Sequence, residues 1–397
     1  MTGFRTLGQA DVDRKRVLLR VDLNVPMQNG VVTDATRIER MAPTILEIAN
    51  RGGMVILLSH LGRPKGPDPK DSLKPIAAET ARVLRRPVAF VDDCIGPKAE
   101  AAARAMQPGD ILCLENTRFH AGEEKNDPAF AAALARLGDI WVNDAFSVSH
   151  RAHASTEGLG HILPAYAGPA MEAELAAFSR VLDAPQRPLA AIVGGAKVST
   201  KLALLGNLIP RVDVLIIGGG MANTFLAAQG KDVGKSLCEH ELAGTARDIL
   251  LQGAARNCEI VLPVDAVVAR KFAAHTPSRT VAVDQVGPDE MILDIGPRTI
   301  EHVVSILGRV KTLVWNGPFG AFEMEPFDVG TIAIAEAAAE LTAAGKIVSV
   351  AGGGDTVAAL NAAGTTERMT YVSAAGGAFL EWLEGKPLPG VEVLRVK

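Results

Sequence analysis

The stretch that decides the fold is Leu189–Lys201, which reads LAAIVGGAKVSTK. A five-residue apolar run ends in Gly194-Gly195 and is followed by residues with helical spacing. This order is typical of a buried parallel strand that turns into a helix beside a bound phosphate. It predicts that helix N–H groups face the anion and that Lys197 and Lys201, four residues apart, share one helical face. An ordinary strand-helix turn with solvated lysines is the alternative for this segment alone.

Apolar runs of similar length recur along the chain, separated by Ala-rich stretches with helical periodicity. They are Val17–Val21, Met54–Leu58, Val88–Val91, Ile111–Leu114, Ile140–Val142, Leu189–Val193, Val212–Ile217, Ile260–Leu262, Val281–Val283, Thr312–Trp315, Ile347–Val350 and Tyr371-Val372. Such alternation predicts parallel sheets with helices on both faces. About a dozen strands exceed one comfortable sheet. The predicted fold class is therefore α/β, with two doubly wound, Rossmann-like domains.

The predicted domain boundary lies near the middle of the chain. An amphipathic stripe begins after Gly168-Pro169, and two prolines, Pro185 and Pro188, close it. A capped helix without a strand partner is expected to be a rigid connector between two lobes. We therefore predict an N-terminal domain over residues 1–168, an inter-domain helix over 169–185, a C-terminal domain over 186–377 and a separate segment over 378–397.

Composition excludes several classes of function. The 397 residues carry a net charge of -4, which argues against nucleic acid or an anionic membrane as the main partner. No apolar run reaches the roughly 18 residues that a membrane helix needs. The four cysteines lie far apart without a CxxC pair, so the spacing suggests neither a disulfide framework nor a zinc site. We expect a cytoplasmic protein, and a monomer because closure of two lobes needs no partner.

Polar and cationic side chains follow the predicted strands of the first half. The residues involved are Asp22, Asn24 and Arg37 after the first strand, His60 and Arg63 after the second, Arg118 after Ile111–Leu114, and Arg151 after Ile140–Val142. The carboxyl ends of parallel strands are where ligands bind in open α/β sheets. Taken alone, each arginine is better explained as a surface or salt-bridge residue than as a ligand group. Four at equivalent places, each with a planar donor fork, predict a small polyanionic substrate.

Glycine turns follow the strands of the second half. They are Gly194-Gly195, Gly218–Gly220, Gly352–Gly354 and Gly376-Gly377. Together they predict a concave rim of N–H donors that binds a nucleotide. Asp355 and Thr356 are then suited to magnesium and to a phosphate oxygen. Asn316 and Glu323 are candidates for the polar parts of the nucleotide, although a glycine-proline loop with a solvated acid explains them equally well.

Two anion sites on separate lobes predict phosphoryl transfer across a cleft that closes to exclude water. Arg37, Lys197 and the helix N-termini at Gly354 and Gly377 would neutralise the transferring group. No catalytic base is evident at the strand ends. None is required if the acceptor is an already ionised carboxylate, because there is no proton to remove.

The motifs that carry this chemistry resemble the phosphoglycerate kinase family over essentially the whole chain. They are RVDLNVP from Arg20, SHLGRP from Ser59, LENTRF from Leu114, NDAF from Asn143, HRAHAS from His150, GGAKVSTK from Gly194, WNGPFGAFE from Trp315, GGGDT from Gly352 and LEGKPLPG from Leu383. The resemblance implies the glycolytic reaction, a reversible transfer between ATP and 3-phosphoglycerate that gives ADP and 1,3-bisphosphoglycerate, with Mg²⁺ as cofactor. It also implies that the C-terminal segment returns to the first domain.

The resemblance assigns roles residue by residue. The acid substrate is expected at Asp22, Asn24, Arg37, His60, Gly62, Arg63, Arg118 and Arg151. The nucleotide is expected at Gly194, Lys197, Lys201, Gly218, Asn316, Glu323, Gly353, Gly354, Asp355 and Thr356, with Asp355 reaching magnesium. Arg37, Lys197, Gly354 and Gly377 are expected at the transition state.

The chain departs from the family pattern at two places. Where the family usually has Ser-Thr-Gly-Gly-Gly-Ala, this chain has Ala374 and Ala375 in the run SAAGGA from Ser373. Where the family commonly has glycine ahead of the HRAH motif, it has Ser147. The first change puts in doubt only the fine geometry of the helix start, because the last two glycines remain.

Two alternative functions stay open at this point. Another kinase that forms an acyl phosphate on a different carboxylate would share the chemistry. A nucleotide-gated binding protein would close over both ligands without forming ADP.

Overall fold

The structure, a computed structural model, describes residues 3–396. Its backbone contacts divide the chain into two compact units. The first unit contains the residues up to Ala176 together with those from Pro387 onward, and the second contains Ala177–Lys386.

The first unit is built on a six-stranded parallel sheet with the order β5-β6-β4-β1-β7-β8. Its strands are β1 (Arg16–Arg20), β4 (Met54–Leu58), β5 (Ala89–Val91), β6 (Ile111–Leu114), β7 (Ile140–Asn143) and β8 (Ala165–Ala167), and a two-stranded hairpin pairs β2 (Met27–Gln28) with β3 (Val31–Val32). β8 was not predicted from the sequence. The central strands are buried throughout, as expected for a sheet covered on both faces.

Helices pack against this sheet through apolar stripes. They are α1 (Thr36–Asn50), α2 (Lys74–Leu84), α3 (Gly96–Ala105), α4 (Ala121–Glu124) and α5 (Pro128–Ala135), with 3₁₀ turns at Leu7–Gln9, Pro69–Asp71, Thr117–Phe119, Phe146–Val148 and Gly158–His161. In α1 the buried residues Ile38, Met41, Ile45 and Ile48 recur every three or four positions, which places them on one helical face. That face holds the start of α1, and thus Arg37, against the sheet.

The chain leaves the first unit inside a helix, α6 (Pro169–Phe178), which continues as a single π-helical turn over Ser179–Asp183. The sequence pattern predicted a continuous helix over 169–185. The change of hydrogen bonding at Ser179 could not be inferred from apolar spacing, because that spacing does not distinguish an α-turn from a π-turn. Phe178 stacks on Trp382 at a centroid distance of 4.3 Å, within the second unit.

The second unit contains another six-stranded parallel sheet, with the order β11-β10-β9-β15-β16-β17. Its strands are β9 (Leu189–Val193), β10 (Val214–Ile217), β11 (Glu259–Val261), β15 (Thr312–Asn316), β16 (Val348–Gly352) and β17 (Tyr371–Ser373). Its helices are α7 (Leu202–Leu208), α8 (Gly220–Ala228), α9 (Ala243–Ala255), α10 (Pro297–Arg309), α11 (Val329–Ala343), α12 (Gly354–Ala362) and α13 (Gly376–Leu383), with 3₁₀ turns at His240–Leu242 and Thr366–Arg368. The predicted α/β class with two doubly wound sheets is confirmed.

A three-stranded antiparallel sheet in the second unit was missed. It consists of β12 (Asp265–Ala269), β13 (Ser278–Ala282) and β14 (Met291–Ile295), with β12 in the middle. The run Val281–Val283, predicted as a strand of a parallel sheet, overlaps β13 instead. The first three residues of β13, Ser278, Arg279 and Thr280, are exposed and only its end is apolar, so a continuous apolar run does not mark the whole strand.

The segment from Pro387 lies in the first unit and contains a short helix, α14 (Pro389–Glu392). The buried amide of Asn143 donates from Nδ2 to the carbonyl of Gly390 at 2.9 Å, and Val396 N donates to Gly3 O at 2.7 Å. In this contact-based division, residues 378–386 complete α13 and its end within the second unit.

One local expectation about the deciding stretch is wrong. No helix starts directly after Gly194-Gly195 in this described part of the chain, and α7 begins only at Leu202. Lys197 and Lys201 therefore lie in a loop and not on one helical face. Val198 is fully buried in that loop, so part of the apolar spacing that suggested a helix serves instead to anchor irregular backbone. Within residues 3–396, no helix combines the length and apolar character needed to cross a bilayer.

Candidate active site

The predicted anion-binding residues of the first unit lie at the carboxyl edge of four neighbouring strands, β6, β4, β1 and β7. Arg37 Nη1 donates to Asp22 Oδ2 at 2.7 Å and to Asn24 O at 3.2 Å. Asn24 Oδ1 accepts from Gly62 N at 3.1 Å, and Arg118 Nη1 donates to Gly62 O at 2.6 Å. A continuous chain of hydrogen bonds therefore joins Arg37 to Arg118 across the sheet edge.

The remaining predicted residues of this site belong to the same electrostatic cluster. Arg118 is 7 % exposed; burial lowers its pKa, and Arg151 and Arg63 lower that pKa further, while Glu124 and Glu123 act in the opposite direction. Arg63 is exposed and Arg151 half-buried. We call Arg20, Arg37, Arg63, Arg118 and Arg151 the arginine cluster.

Arg20 was missed as a site residue. It is the last residue of β1 and is 1 % exposed, and burial lowers its pKa to about 10. Its guanidinium donates to Ser155 Oγ at 2.9 Å and contacts His60 Nδ1 at 3.1 Å. The sequence prediction placed ligand groups only in the residues that follow each strand. Arg20 is the last residue of the strand itself and so fell outside that prediction. A lone arginine in an otherwise apolar run was the signal that could have identified it, since buried arginine is rare without partners.

The buried arginine is compensated by an acid on its far side. Ser155 Oγ, which accepts from Arg20, donates to Glu123 Oε1 at 2.5 Å, and Ser155 N donates to Glu123 Oε2 at 3.0 Å. Glu123 is fully buried. Because buried charges are stable only when paired or hydrogen-bonded, this network explains how a cation is retained beneath the site.

His60 is held as a neutral donor. Burial lowers its pKa well below 6.5, and the charges of Arg20, Arg118 and Arg151 lower it further. Arg20 occupies Nδ1 as a donor, which leaves the ring proton on Nε2. His60 therefore offers a hydrogen bond to an anion without adding charge. His153, also beside these arginines, has its pKa lowered by burial to about 4.

Ser147 contributes to the same edge. Its hydroxyl donates to Asp22 Oδ2 at 2.6 Å, the oxygen that also accepts from Arg37. The departure from the family pattern at this position therefore places a hydroxyl on Asp22, a predicted site residue that also binds Arg37.

The glycine turns of the second unit meet at the carboxyl edge of its parallel sheet, and we call them the glycine rim. A Cβ on Gly194 would lie 2.0 Å from Pro318 O, and Gly353 has a φ of 101°. Both positions require glycine, the first for close approach of two backbone segments and the second for a left-handed conformation. The sequence therefore uses glycine at these two positions for backbone geometry.

Lys201 and Asn316 link the first turn of the rim to the third. Lys201 Nζ donates to Asn316 Oδ1 at 2.5 Å, and Asn316 Nδ2 donates to Gly352 O at 2.8 Å. Burial lowers the pKa of Lys201, while Glu384 and Asp355 oppose that shift. The side chain of Thr356 accepts from Gly317 N at 2.7 Å, so its hydroxyl already holds the backbone.

A cavity of about 500 Å³ opens beside the rim. Its lining includes the backbone of Gly195 and Gly219, the carboxylates of Glu323 and Asp355, and the apolar side chains of Phe272 and Leu293. Its size and apolar character suit a small ligand with an aromatic ring. Asp355 lies in the first turn of α12 and is exposed. Asn223, which also lines the cavity, is 1 % exposed and its Oδ1 has no hydrogen-bond partner within residues 3–396.

The remaining predicted residues of the second unit take no part in the side-chain hydrogen bonds described above for Lys201, Asn316 and Thr356. Gly218 packs against Phe319, and Gly354 and Gly377 lie in the first turns of α12 and α13. These two helix starts are close, because a Cβ on Gly376 would lie 3.7 Å from Gly354 N. Lys197 is exposed in the loop before α7. The structure thus joins Lys201 directly to Asn316, holds Asn316 and Thr356 against the backbone of Gly352 and Gly317, and leaves Lys197 outside these contacts.

Comparisons with known proteins agree with this arrangement. A family model described as phosphoglycerate kinase matches residues 7–386. A protein named phosphoglycerate kinase from Bradyrhizobium diazoefficiens is 65 % identical over 394 residues, covering 99 % of both chains, and one from Xanthobacter flavus is 63 % identical over 396 residues, covering 100 % of both. The solved structure of phosphoglycerate kinase from Coxiella burnetii has a TM-score of 0.92 at 44 % identity and covers 98 % of both chains.

Proposed function

Because this chain belongs to the phosphoglycerate kinase family, we propose that its first unit binds 3-phosphoglycerate and its second unit binds ATP or ADP. The reaction is a reversible phosphoryl transfer to the carboxylate of 3-phosphoglycerate, which gives ADP and 1,3-bisphosphoglycerate. The observation that carries the proposal is the hydrogen-bonded chain from Arg37 to Arg118. It presents two cationic forks at one sheet edge, which suits a small molecule with two anionic groups.

In the first unit, we assign recognition of the acid substrate to Asp22, Asn24, Arg37, His60, Gly62, Arg63, Arg118 and Arg151. Arg118 is buried and fixed by Gly62, so it positions one anionic group with little loss of side-chain freedom. Arg63 is exposed and adds charge at the edge. His60 donates a hydrogen bond from Nε2 without changing the net charge of the site.

In the second unit, we assign nucleotide binding to the glycine rim and to the 500 Å³ cavity beside it. Gly194, Gly218, Gly353 and Gly354 supply backbone for the phosphates, and Lys201 adds charge. Glu323 lines the cavity with an exposed carboxylate, which suits the hydroxyl groups of a ribose. Thr356 and Asn316 hold the rim itself through their contacts with Gly317 and Gly352.

Magnesium fits the residues that are present. Asp355 places a carboxylate in the first turn of α12 where the phosphates would lie, and carboxylate oxygen is the ligand type that Mg²⁺ prefers. When bound, Mg²⁺ neutralises charge on the nucleotide phosphates. Asp355 is thus the residue we assign to the metal.

For the transfer itself, we assign Arg37, Lys197 and the N–H groups at Gly354 and Gly377 to the transferring phosphoryl group. Positive groups at these positions stabilise negative charge on the equatorial oxygens. The acceptor carboxylate is already ionised, so the chain needs no general base. We also propose that α6 and its π-helical end act as the hinge that lets both sets of groups reach one phosphate.

A coupled assay tests the substrate. Purified enzyme with MgATP is offered 3-phosphoglycerate, acetate or aspartate in separate reactions, and ADP formation is followed. Turnover with 3-phosphoglycerate alone supports the proposal. Turnover only with acetate or aspartate assigns the chain to another carboxylate, and binding of both ligands without ADP identifies a binding protein.

We propose further that the enzyme acts as a cytoplasmic monomer whose partners are small molecules only. The net charge of -4 supports the exclusion of nucleic acid and anionic membranes. Light scattering of the full chain with and without both ligands tests the monomer, and a concentration-dependent mass would contradict it.

A further inference from the structure

We propose that Asp93, Cys94 and His120 bind one divalent transition-metal cation of the Zn²⁺ or Co²⁺ type, at a site separate from the substrate and nucleotide sites. Their ligand atoms all lie within 4.8 Å of one another. Among residues 3–396 this is the one group of three or more His, Cys, Asp or Glu side chains that meets this criterion. Cys94 lies between β5 and α3, and His120 follows the 3₁₀ turn after β6.

The distances suit tetrahedral coordination. Bonds of about 2.0–2.3 Å to nitrogen, oxygen and sulfur place neighbouring ligand atoms roughly 3.3–3.8 Å apart around a tetrahedral cation. Asp93 Oδ1 and His120 Nε2 are 2.8 Å apart, so this pair must open by about half an ångström to admit the ion. The His120 ring stacks on Phe130 at 5.2 Å, which holds the plane of the imidazole.

The donor set selects the class of cation. A thiolate, an imidazole and a single carboxylate are the ligands of Zn²⁺ and related borderline-soft ions, whereas Mg²⁺ takes oxygen. Magnesium at Asp355 is therefore not expected to compete for this site. The established chemistry of the family does not use these three residues, since none of them belongs to the arginine cluster or to the glycine rim.

The surroundings favour a cation. Cys94 is fully buried, and the carboxylates of Asp93, Glu123 and Glu115 interact with it electrostatically. The last two carboxylates are occupied elsewhere, Glu115 by Ser72 and Leu73, and Glu123 by Ser155. They are not ligands, but their negative charge attracts a positive ion.

The site has an entry path and an open coordination position. Asp93 and His120 line an open cavity of about 960 Å³, and their side chains are 41 % and 32 % exposed. Neighbouring Asp92 is paired with Lys98 at 2.8 Å. Three protein ligands leave a fourth position for water. On binding, the sulfur–metal bond forms as the Cys94 thiol releases one proton to solvent. The His120 proton that Nε2 shares with Asp93 Oδ1 moves to Nδ1 by exchange with solvent, which frees Nε2 for the metal.

Occupancy of this site would restrain the turn that carries Arg118. His120 N donates to Thr117 O at 3.2 Å, so a metal bound to His120 is linked through one 3₁₀ turn to a residue of the arginine cluster.

Cobalt titration of the full chain, without nucleotide, tests the proposal. Tetrahedral Co²⁺ bound to a thiolate gives a near-ultraviolet charge-transfer band and visible ligand-field bands. We expect one equivalent of Co²⁺ to produce them and Zn²⁺ to abolish them. Cys94→Ser is expected to lose the charge-transfer band, and His120→Asn and Asp93→Asn to weaken binding by at least about 10–100-fold.

Cys238→Ser is the matched control, because Cys238 Sγ lies 3.6 Å from His240 Nδ1 and forms the competing thiol–imidazole pair. It is expected to leave the titration unchanged. Thermal unfolding of each variant without metal shows whether that variant is folded. If Cys94→Ser does not fold, His120→Asn and Asp93→Asn still test the site, because their side chains are partly exposed. Absence of the band in the folded parent chain, its survival in folded Cys94→Ser, or its loss in Cys238→Ser would each overturn the proposal.

Discussion

The two proposed anion sites are built by opposite means. The first uses side chains, and a buried arginine, Arg20, must be compensated by Ser155 and Glu123 beneath it. The second uses backbone at Gly194 and Gly353, where neighbouring atoms leave no room for a Cβ. The first site is therefore expected to be sensitive to loss of charge, and the second to gain of volume.

Removing a charge from the first unit gives the largest expected effect. We predict that Arg37→Ala lowers kcat about 10²–10³-fold, because Arg37 is assigned to the transferring group, while nucleotide affinity changes little. Steady-state kinetics with 3-phosphoglycerate and MgATP measure both. Arg40→Ala, an exposed arginine on the same helix, is the control and should retain full turnover. Unchanged kcat in Arg37→Ala would remove Arg37 from the mechanism.

Adding volume to the second unit tests the other half of the comparison. A methyl group at Gly194 meets Pro318 O at 2.0 Å, so Gly194→Ala should destabilise the fold by about 1–3 kcal/mol and raise KM for ATP. Gly206→Ala is the matched control, since nothing lies within 4 Å of its Cβ position in α7. It should stabilise by about 0.5–1 kcal/mol. Denaturant unfolding measures the free energy of unfolding of both variants. Equal values for Gly194→Ala and Gly206→Ala would show that the rim tolerates side chains.

The two sites should also differ in their response to pH. Burial, helped by the neighbouring arginines, lowers the pKa of His60 and keeps it neutral near pH 7. Burial instead raises the pKa of Asp294, beside the nucleotide cavity, to about 7, and Asp328 adds to the shift. Because the folded pKa lies above the unfolded value, the stability from this group is fully present below about pH 4 and is lost as pH rises to about 7.

Asp294→Asn removes that titration. We predict that the free energy of unfolding of the parent, relative to the variant, falls by about 1–2 kcal/mol between about pH 5.5 and pH 7. Above that range the difference should level off. Asp294 accepts from Gly330 N at 2.7 Å, and loss of an acceptor adds only a constant offset. A difference that is independent of pH would show that Asp294 is ionised throughout.

The smallest effect concerns two similar hydroxyls, one in each unit. Ser147 Oγ donates to Asp22 at 2.6 Å, and Ser199 Oγ donates to Glu239 at 2.5 Å. Ser147→Ala should cost about 0.5–1.5 kcal/mol in binding of 3-phosphoglycerate, because it loosens the carboxylate that orients Arg37. Ser199→Ala should leave that affinity unchanged. Isothermal titration with 3-phosphoglycerate measures both, and equal affinities would confine Ser147 to local structure.

The sequence predicted the parallel sheets, the family and the phosphoglycerate kinase activity, and these predictions are confirmed. Buried runs such as Met54–Leu58 identify strands directly, because a sheet covered on both faces leaves no polar alternation. The same criterion did not find the antiparallel sheet: β12 and β14 contain only short apolar runs, Ala266–Ala269 and Met291–Leu293, and most of β13 is exposed. The roles of individual residues and the domain limits stay predictions.

Other features depend on contacts that spacing does not encode. Arg20 lies within a strand, and its partners Ser155 and Glu123 are more than 100 residues away. Lys197 and Lys201 have helical spacing, yet buried Val198 holds them in a loop. His120 meets Asp93 only because the turns after β5 and β6, which are neighbours in the sheet, end side by side.

The return of the chain end to the first unit has a consequence for synthesis. Asn143 depends on the carbonyl of Gly390 for one of its buried hydrogen bonds, and the backbone of Val396 meets that of Gly3. Because these partners follow the whole of Ala177–Lys386 in the chain, the ribosome makes them only after the second unit has been synthesised. The first unit, although its synthesis begins earlier, therefore cannot form these contacts until the second unit is complete.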